Sequence, residues 1–141
     1  MHSIVLAQTD DEIQRCFAVM VQLRPHLVAE TFVGRVRRQQ RDRYQLAFLH
    51  ADSAIQSVAG FRILENLAWG RFLYVDDLIT GKEGRSRGYG QKLFAWLIER
   101  ARAEQCDEFH LDSGVQRFGA HRFYLCQRMD ITSHHFALKL K

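Results

Sequence analysis

The chain has a single proline, Pro25, among 141 residues, and three scattered cysteines, Cys16, Cys106 and Cys126, with no CxxC pair. An odd, dispersed cysteine set supports neither a disulfide framework nor a zinc site, and it fits a reducing cytoplasm. No apolar run approaches the roughly 18 residues that cross a bilayer. The opening MHSIVLAQTDDE lacks a basic n-region, and its apolar run is too short for a secretory signal, so no membrane role is expected. Internal repeats, low-complexity tracts and linkers are missing as well. A large excess of one charge sign is missing too: the formal balance is +4, compatible with an anionic ligand or nucleic acid and diagnostic of neither. What is present is a 47% hydrophobic composition with ten Phe, enough to build one core. One domain spanning residues 1–141 is expected.

Ile4 to Gln8 reads as a first strand. Thr9 then offers an N-cap, with Glu12 three residues later completing a capping box. The helix that follows carries Ile13, Cys16, Phe17, Met20 and Val21 on one face, and Pro25 ends it. A second helix is predicted from about Val28 to Gln40, with a basic face of Arg35, Arg37, Arg38 and Arg41. RYQLAFLHA, AIQSVAGFRILENLAWG and RFLYVDDLIT read as an antiparallel meander, broken by turns near Asp52 and Gly70. A long helix from about Gly88 to Glu104 buries Leu93, Phe94, Leu97, Ile98 and Ala101. EFHLDS is a further strand and FGAHRFYLCQ a short helix. Phe136, Leu138 and Leu140 alternate, which predicts a terminal strand. The order βαα βββ αβαβ implies an α+β fold with a mixed sheet.

The chemistry-bearing stretch is ITGKEGRSRGYGQKLF, a basic glycine loop that opens directly into the long helix. It has no Gly-Lys-Ser/Thr at Walker spacing, and Leu93 stands where a dinucleotide fingerprint needs its third glycine. What fits is RxxGxG: Arg85, Gly88 and Gly90 before a helix start. Open N–H groups and the helix macrodipole favour an anion there. Glycines let the backbone approach it, and Arg85 and Arg87 add charge-assisted hydrogen bonds. A solvated turn is the plainer alternative.

The run from VDDLITGKEGRSRGYGQKLFAWLIERARAEQC through LDS to AHRFYLCQRM resembles the GNAT superfamily of acyl-CoA-dependent N-acetyltransferases. It does so most closely over Phe72 to Met129, and the VDDL segment is similar to diamine and polyamine acetyltransferases. The resemblance implies a GNAT fold, with a mixed central sheet flanked by helices on both faces, and acetyl-CoA as co-substrate without a metal. It sets Leu78, Ile79 and Thr80 along the pantetheine arm. Arg85, Ser86, Arg87, Gly88, Tyr89, Gly90 and Gln91 would surround the pyrophosphate. Tyr124, in the AxxFY frame, would face the sulfur. Two positions depart from the family: Arg117 replaces a frequent Asn and could contact the coenzyme differently, and Arg128-Met129 replaces the usual Gly-Phe.

Acetyl transfer needs a neutral amine, a stabilised oxyanion and a protonated leaving thiolate. Amines of lysine-like basicity are about 99.9% protonated at pH 7, so a base must help. Asp76 and Asp77 stand just before the pantetheine-pairing stretch. Adjacent strand residues point to opposite faces, so at most one faces the cleft unless a bulge intervenes. The resemblance favours Asp76 as base, directly or through water, with Asp77 the second candidate; an acidic pair would also draw a cationic acceptor. Ordinary surface pairing with an arginine is the alternative. Tyr124 could return a proton to sulfur, and a backbone N–H from the Leu78 to Ile79 segment could meet the oxyanion. In this family the loop holding Arg24 and His26 borders the acceptor, so these two would help choose it.

His134-His135 cannot readily share one metal from a strand. Cys126 lacks a base at motif spacing. RVRRQQRDR has no interleaved aromatics, which argues against nucleic acid as a partner. The reading is therefore direct acetyl transfer to a primary amine on a small cationic molecule. A peptide amine, or an acyl-CoA sensor of the same fold without catalysis, is the alternative. The terminal strand would permit exchange or edge pairing in a homodimer.

Overall fold

The computed structural model describes all of residues 1–141. Its elements run β1 (His2–Leu6), α1 (Asp10–Arg15), α2 (Phe17–Leu23), α3 (Ala29–Gln40), β2 (Gln45–Ala51), β3 (Ala54–Asn66) and β4 (Gly70–Thr80). A 3₁₀ turn at Lys82–Gly84 follows, then α4 (Tyr89–Ala103), β5 (Glu108–Leu111) and α5 (Phe118–Cys126). The chain forms two compact units, Met1–His110 and Leu111–Lys141.

In the first unit the strands lie in sequence order, β1 to β5. β1–β2, β2–β3 and β3–β4 are antiparallel. The chain reaches β5 from β4 through α4, the crossover that a parallel pair requires, which makes the sheet mixed. Asp52 and Ser53 both take positive φ between β2 and β3, as a tight hairpin whose twist matches its strands demands. Both sheet faces are covered. Leu46 and Phe48 of β2 pack with Ile13, Met20, Phe32 and Val36 of the first three helices. Leu49 and Ala51, on the opposite side of the pleat, pack with Tyr89 of α4.

The capping box forms as its spacing requires: Thr9 Oγ1 accepts from the Glu12 N–H at 3.1 Å, and Glu12 accepts from the Thr9 N–H at 3.0 Å. The helix after it is not continuous. It breaks at Cys16, whose N–H bonds back only three residues to Ile13, so α1 and α2 are separate. Pro25 ends α2 by pushing Arg24 off helical geometry, to φ −120° and ψ 74°.

The second unit holds α5, and no strand follows it. Phe136, Leu138 and Leu140 are 91%, 84% and 89% exposed in an irregular tail, which corrects the expected terminal strand. Alternation makes a segment able to be a strand, but a strand exists only as part of a ladder, and residues 129–141 join none.

Candidate active site

Between β3 and β4 the register slips: Gly60 faces Asp77, while the next residue, Phe61, faces Val75. Asp76 is therefore the extra residue of a β-bulge. The slip removes the constraint that neighbouring side chains point apart, and both Asp76 and Asp77 line one cavity of about 410 Å³. Arg24 and His26 line it too, so the four residues expected beside the acceptor share a wall. The remainder is contributed by α2 and α3, by Leu27 between them, by Tyr44 before β2 and by Tyr74 of β4.

The two aspartates have different company. Asp77 accepts from Arg24 Nε at 2.9 Å on one oxygen and from the Tyr44 hydroxyl at 2.8 Å on the other. Arg24 also donates to the Asp76 carbonyl at 2.8 Å, fixing the bulge. Asp76 receives only Arg62 Nε, at 3.0 Å on Oδ2; its Oδ1 is buried with no hydrogen-bond partner. Burial pushes the Asp76 carboxyl above its ordinary value, against the pull of Arg62. Burial, then the Asp77 charge and its hydrogen bond, push the Tyr44 phenol well above its ordinary value, so Tyr44 remains a donor.

Tyr44, Arg62 and Arg35 were not singled out from sequence as parts of this site. A signal existed for two of them. Gly60 sits inside a strand because a Cβ there would collide with the Tyr44 phenol, and a strand glycine marks such an approach. Arg62 interrupts the apolar run GFRIL, and a charge in a half-buried strand needs a partner. Arg62 donates to Gln39 Oε1 at 2.7 Å and to the Asp42 carbonyl at 3.1 Å besides binding Asp76. The basic run on α3 does not form one face: Arg35 lines the cavity, while Arg37 pairs with Asp10 at 2.8 Å.

At the far end of β4 the glycine loop folds into the start of α4. Gly88 is its N-cap at φ +79°, and a Cβ there would meet nothing within 4 Å. Its need for glycine is therefore conformational and not a matter of crowding within the protein. At Gly90 a Cβ would press on Thr80 Oγ1 at 3.0 Å, so that glycine lets the helix start lie against β4. Ser86 also takes positive φ. Arg85 donates weakly to the Thr80 carbonyl at 3.4 Å, and Asp52 holds both Arg87, at 3.2 Å, and the Tyr89 hydroxyl, at 3.0 Å. The first-turn N–H groups of α4, including Gly90 and Gln91, have no acceptor within the helix. Leu78, Ile79 and Thr80 pair with β3, Ile79 being buried. β5 is four residues long and starts beside Arg71, so its ladder stops short of them.

In the second unit Arg117 is the N-cap of α5, and Tyr124 lies in its last turn, its ring edge-on to Phe123 at 5.6 Å. Burial pushes the Tyr124 phenol up, against the Arg117 charge. No three His, Cys, Asp or Glu side chains gather into a metal-binding group. No helix is long and apolar enough to cross a membrane.

The Acetyltransferase (GNAT) family model matches residues 7–128. The chain belongs to the GNAT family. This acetyltransferase is 33% identical over 115 residues to the uncharacterised N-acetyltransferase YhdJ of Bacillus subtilis (strain 168), which covers 81% of each chain. Its fold matches the aminoglycoside N-acetyltransferase AAC(6')-Iy, solved with a bisubstrate analogue, with TM-score 0.86 and 13% identity over 100% of this chain and 99% of that one. It also matches the ribosomal-protein-alanine N-acetyltransferase of Brucella melitensis biovar Abortus 2308, with TM-score 0.85 and 12% identity over the whole of both chains. As a family member it is an N-acetyltransferase with acetyl-CoA as co-substrate. A left-handed glycine cap, open helix N–H groups and neighbouring arginines fit the diphosphate of that molecule.

Proposed function

We propose that this GNAT acetyltransferase acetylates a primary amine on a small molecule, by direct transfer within a ternary complex. The observation that carries the reading is Asp76 Oδ1, a buried carboxylate oxygen with no donor in a residue that lines a ligand-sized cavity. Acetyl-CoA supplies the acetyl thioester. Asp76 takes the proton from the incoming amine, directly or through one ordered water, so that nitrogen can form its bond to the acetyl carbon as the carbon–sulfur bond breaks. A carboxyl with a raised pKa is the stronger base for that task. Asp77 positions: its oxygens are held by Arg24 and Tyr44, and through Arg24 it fixes the bulge that presents Asp76.

For the coenzyme, the backbone from Arg85 to Gln91 would cradle the pyrophosphate, and Arg85 would turn from its weak carbonyl contact to the anion. The open edge at Leu78, Ile79 and Thr80 suits an extended pantetheine arm, and an N–H of Leu78 or Ile79 would meet the oxyanion. Tyr124 would protonate the leaving thiolate, a role that rests on the AHRFY frame, and Arg117, three residues before that frame, would touch the coenzyme. The expectation of a cationic acceptor rested on an unneutralised acidic pair. Each aspartate has an arginine partner, which weakens the pair's pull on a small cationic acceptor. The exposed alternation of Phe136, Leu138 and Leu140 supports a homodimer in which the tail pairs with a second copy. Free cysteines throughout suit a reducing compartment such as the cytoplasm.

Asp76→Asn tests the base. The expected result is a fall in turnover of about 10²–10⁴-fold with acetyl-CoA affinity retained, read by thiol release and calorimetry. Wild-type turnover in this variant would remove Asp76 as base.

A further inference from the structure

The cavity holds one charge that nothing in the protein answers. α3 presents Phe32, Arg35, Val36 and Gln39 to it at helical spacing. Phe32 and Val36 are buried in the core, and Gln39 is tied to Arg62. Arg35 is half-buried and has neither a hydrogen bond nor an ion pair. The other lining charges are matched: Asp77 with Arg24, and Asp76 with Arg62 behind the wall. Once Asp76 is counted with its partner Arg62 outside the lining, the unmatched charge on the lining is positive, from a guanidinium that stays charged at any working pH and whose fork fits an oxyanion on two N–H groups. Asp76, on the same lining, keeps one buried acceptor oxygen, Oδ1, without a partner.

We infer that the acceptor is an amine that also carries an oxyanion, a carboxylate or a phosphate, with the amine at Asp76 and the oxyanion on Arg35. This rests on the acetyltransferase reading of the cavity and names its substrate class. It makes Arg35 the residue that selects the acceptor, with the exposed His26 and the remaining donor of Arg24 beside it on the lining.

The test titrates amines into the protein saturated with coenzyme A: α- and ω-amino acids, aminoalkyl phosphates, and the parent amines or carboxamides lacking the oxyanion. Wild type should bind one oxyanion class about ten- to hundredfold more tightly than its parent amines. The class that binds separates carboxylate from phosphate. Arg35→Gln should abolish the preference, and Arg35→Lys should restore part of it, which a merely structural role would not do. Thiol release from acetyl-CoA, measured on the same panel, should follow the same order. Parent amines binding as well as their acids, no binding by any member, or a preference that survives Arg35→Gln would each overturn the inference. Oxyanion-dependent binding without thiol release would support the anion site and count against acetyl transfer. Thiol release indifferent to the oxyanion would uphold transfer and remove the anion site.

Discussion

Asp77 gives one oxygen to Arg24 and the other to Tyr44, and Asp76 keeps one oxygen free of any donor. On the proposed mechanism this difference of company would divide their work, and it can be measured. Tyr44→Phe leaves Asp77 without its second donor in a half-buried site. It should cost about 1–3 kcal/mol in urea denaturation and loosen acceptor binding more than coenzyme binding. Asp76 has a raised pKa, so the folded protein holds that proton at pH values where the unfolded chain has released it. The stability that Asp76 contributes must then fall as pH rises from its ordinary 3.8 through the raised value. Stability measured from pH 4 to 7 should therefore shift in favour of Asp76→Asn relative to wild type as pH rises (~4 to ~7 being the window around a carboxylate). A pH-independent difference would mean that the carboxyl is not perturbed. If Asp76 is the base, as proposed, catalysis has the opposite sign, since the base must be ionised. Its acid limb should sit above the ordinary carboxylate value and vanish in the variant.

At the scale of elements, the capping box gives the complementary case. Glu12 is held below its ordinary value by the N–H groups of Thr9 and Gln8, so its contribution is present above 4.5 and lost as pH falls through the lowered value. Thr9→Ala should cost about 1 kcal/mol by removing the N-cap acceptor. That element could be read directly from TDDE, because capping is local. So could the end of α2 at Pro25 and the entry of the glycine loop into α4. The bulge could not, because it is a property of how β3 and β4 register against one another, and its only trace in the sequence is Gly60. The break at Cys16 was hidden too, since the apolar stripe runs on across it. The terminal strand was over-read for a related reason: its alternation is local, but its ladder partner would have to come from elsewhere. Tyr44, just before β2, and Arg62 of β3 reach the aspartates, and Arg35 of α3 lines the same cavity, a convergence no spacing rule records. Gly60→Ala tests this arrangement. Its methyl would displace the Tyr44 phenol, with an expected loss of about 1–3 kcal/mol and a weakened acceptor site.

At the scale of the whole molecule, four large apolar side chains, Ile131, Phe136, Leu138 and Leu140, stand exposed on the tail, and in the proposed homodimer a second copy would pair with it under two-fold symmetry. Sedimentation of the full chain should show a dimer, and Phe136→Ser with Leu138→Ser should yield monomer; a monomeric wild type would dismiss the pairing. An N-acetyltransferase built around Asp76 at the β4 bulge, as proposed, depends on that one carboxylate. The measurement that bears on it most directly is acetyl-CoA-dependent acetylation of an amine panel, followed by mass spectrometry, in wild type and Asp76→Asn at matched coenzyme saturation. The account predicts an acetylated amine from the wild type and its near-complete loss in the variant, with acetyl-CoA still bound. Equal product from both proteins would contradict it.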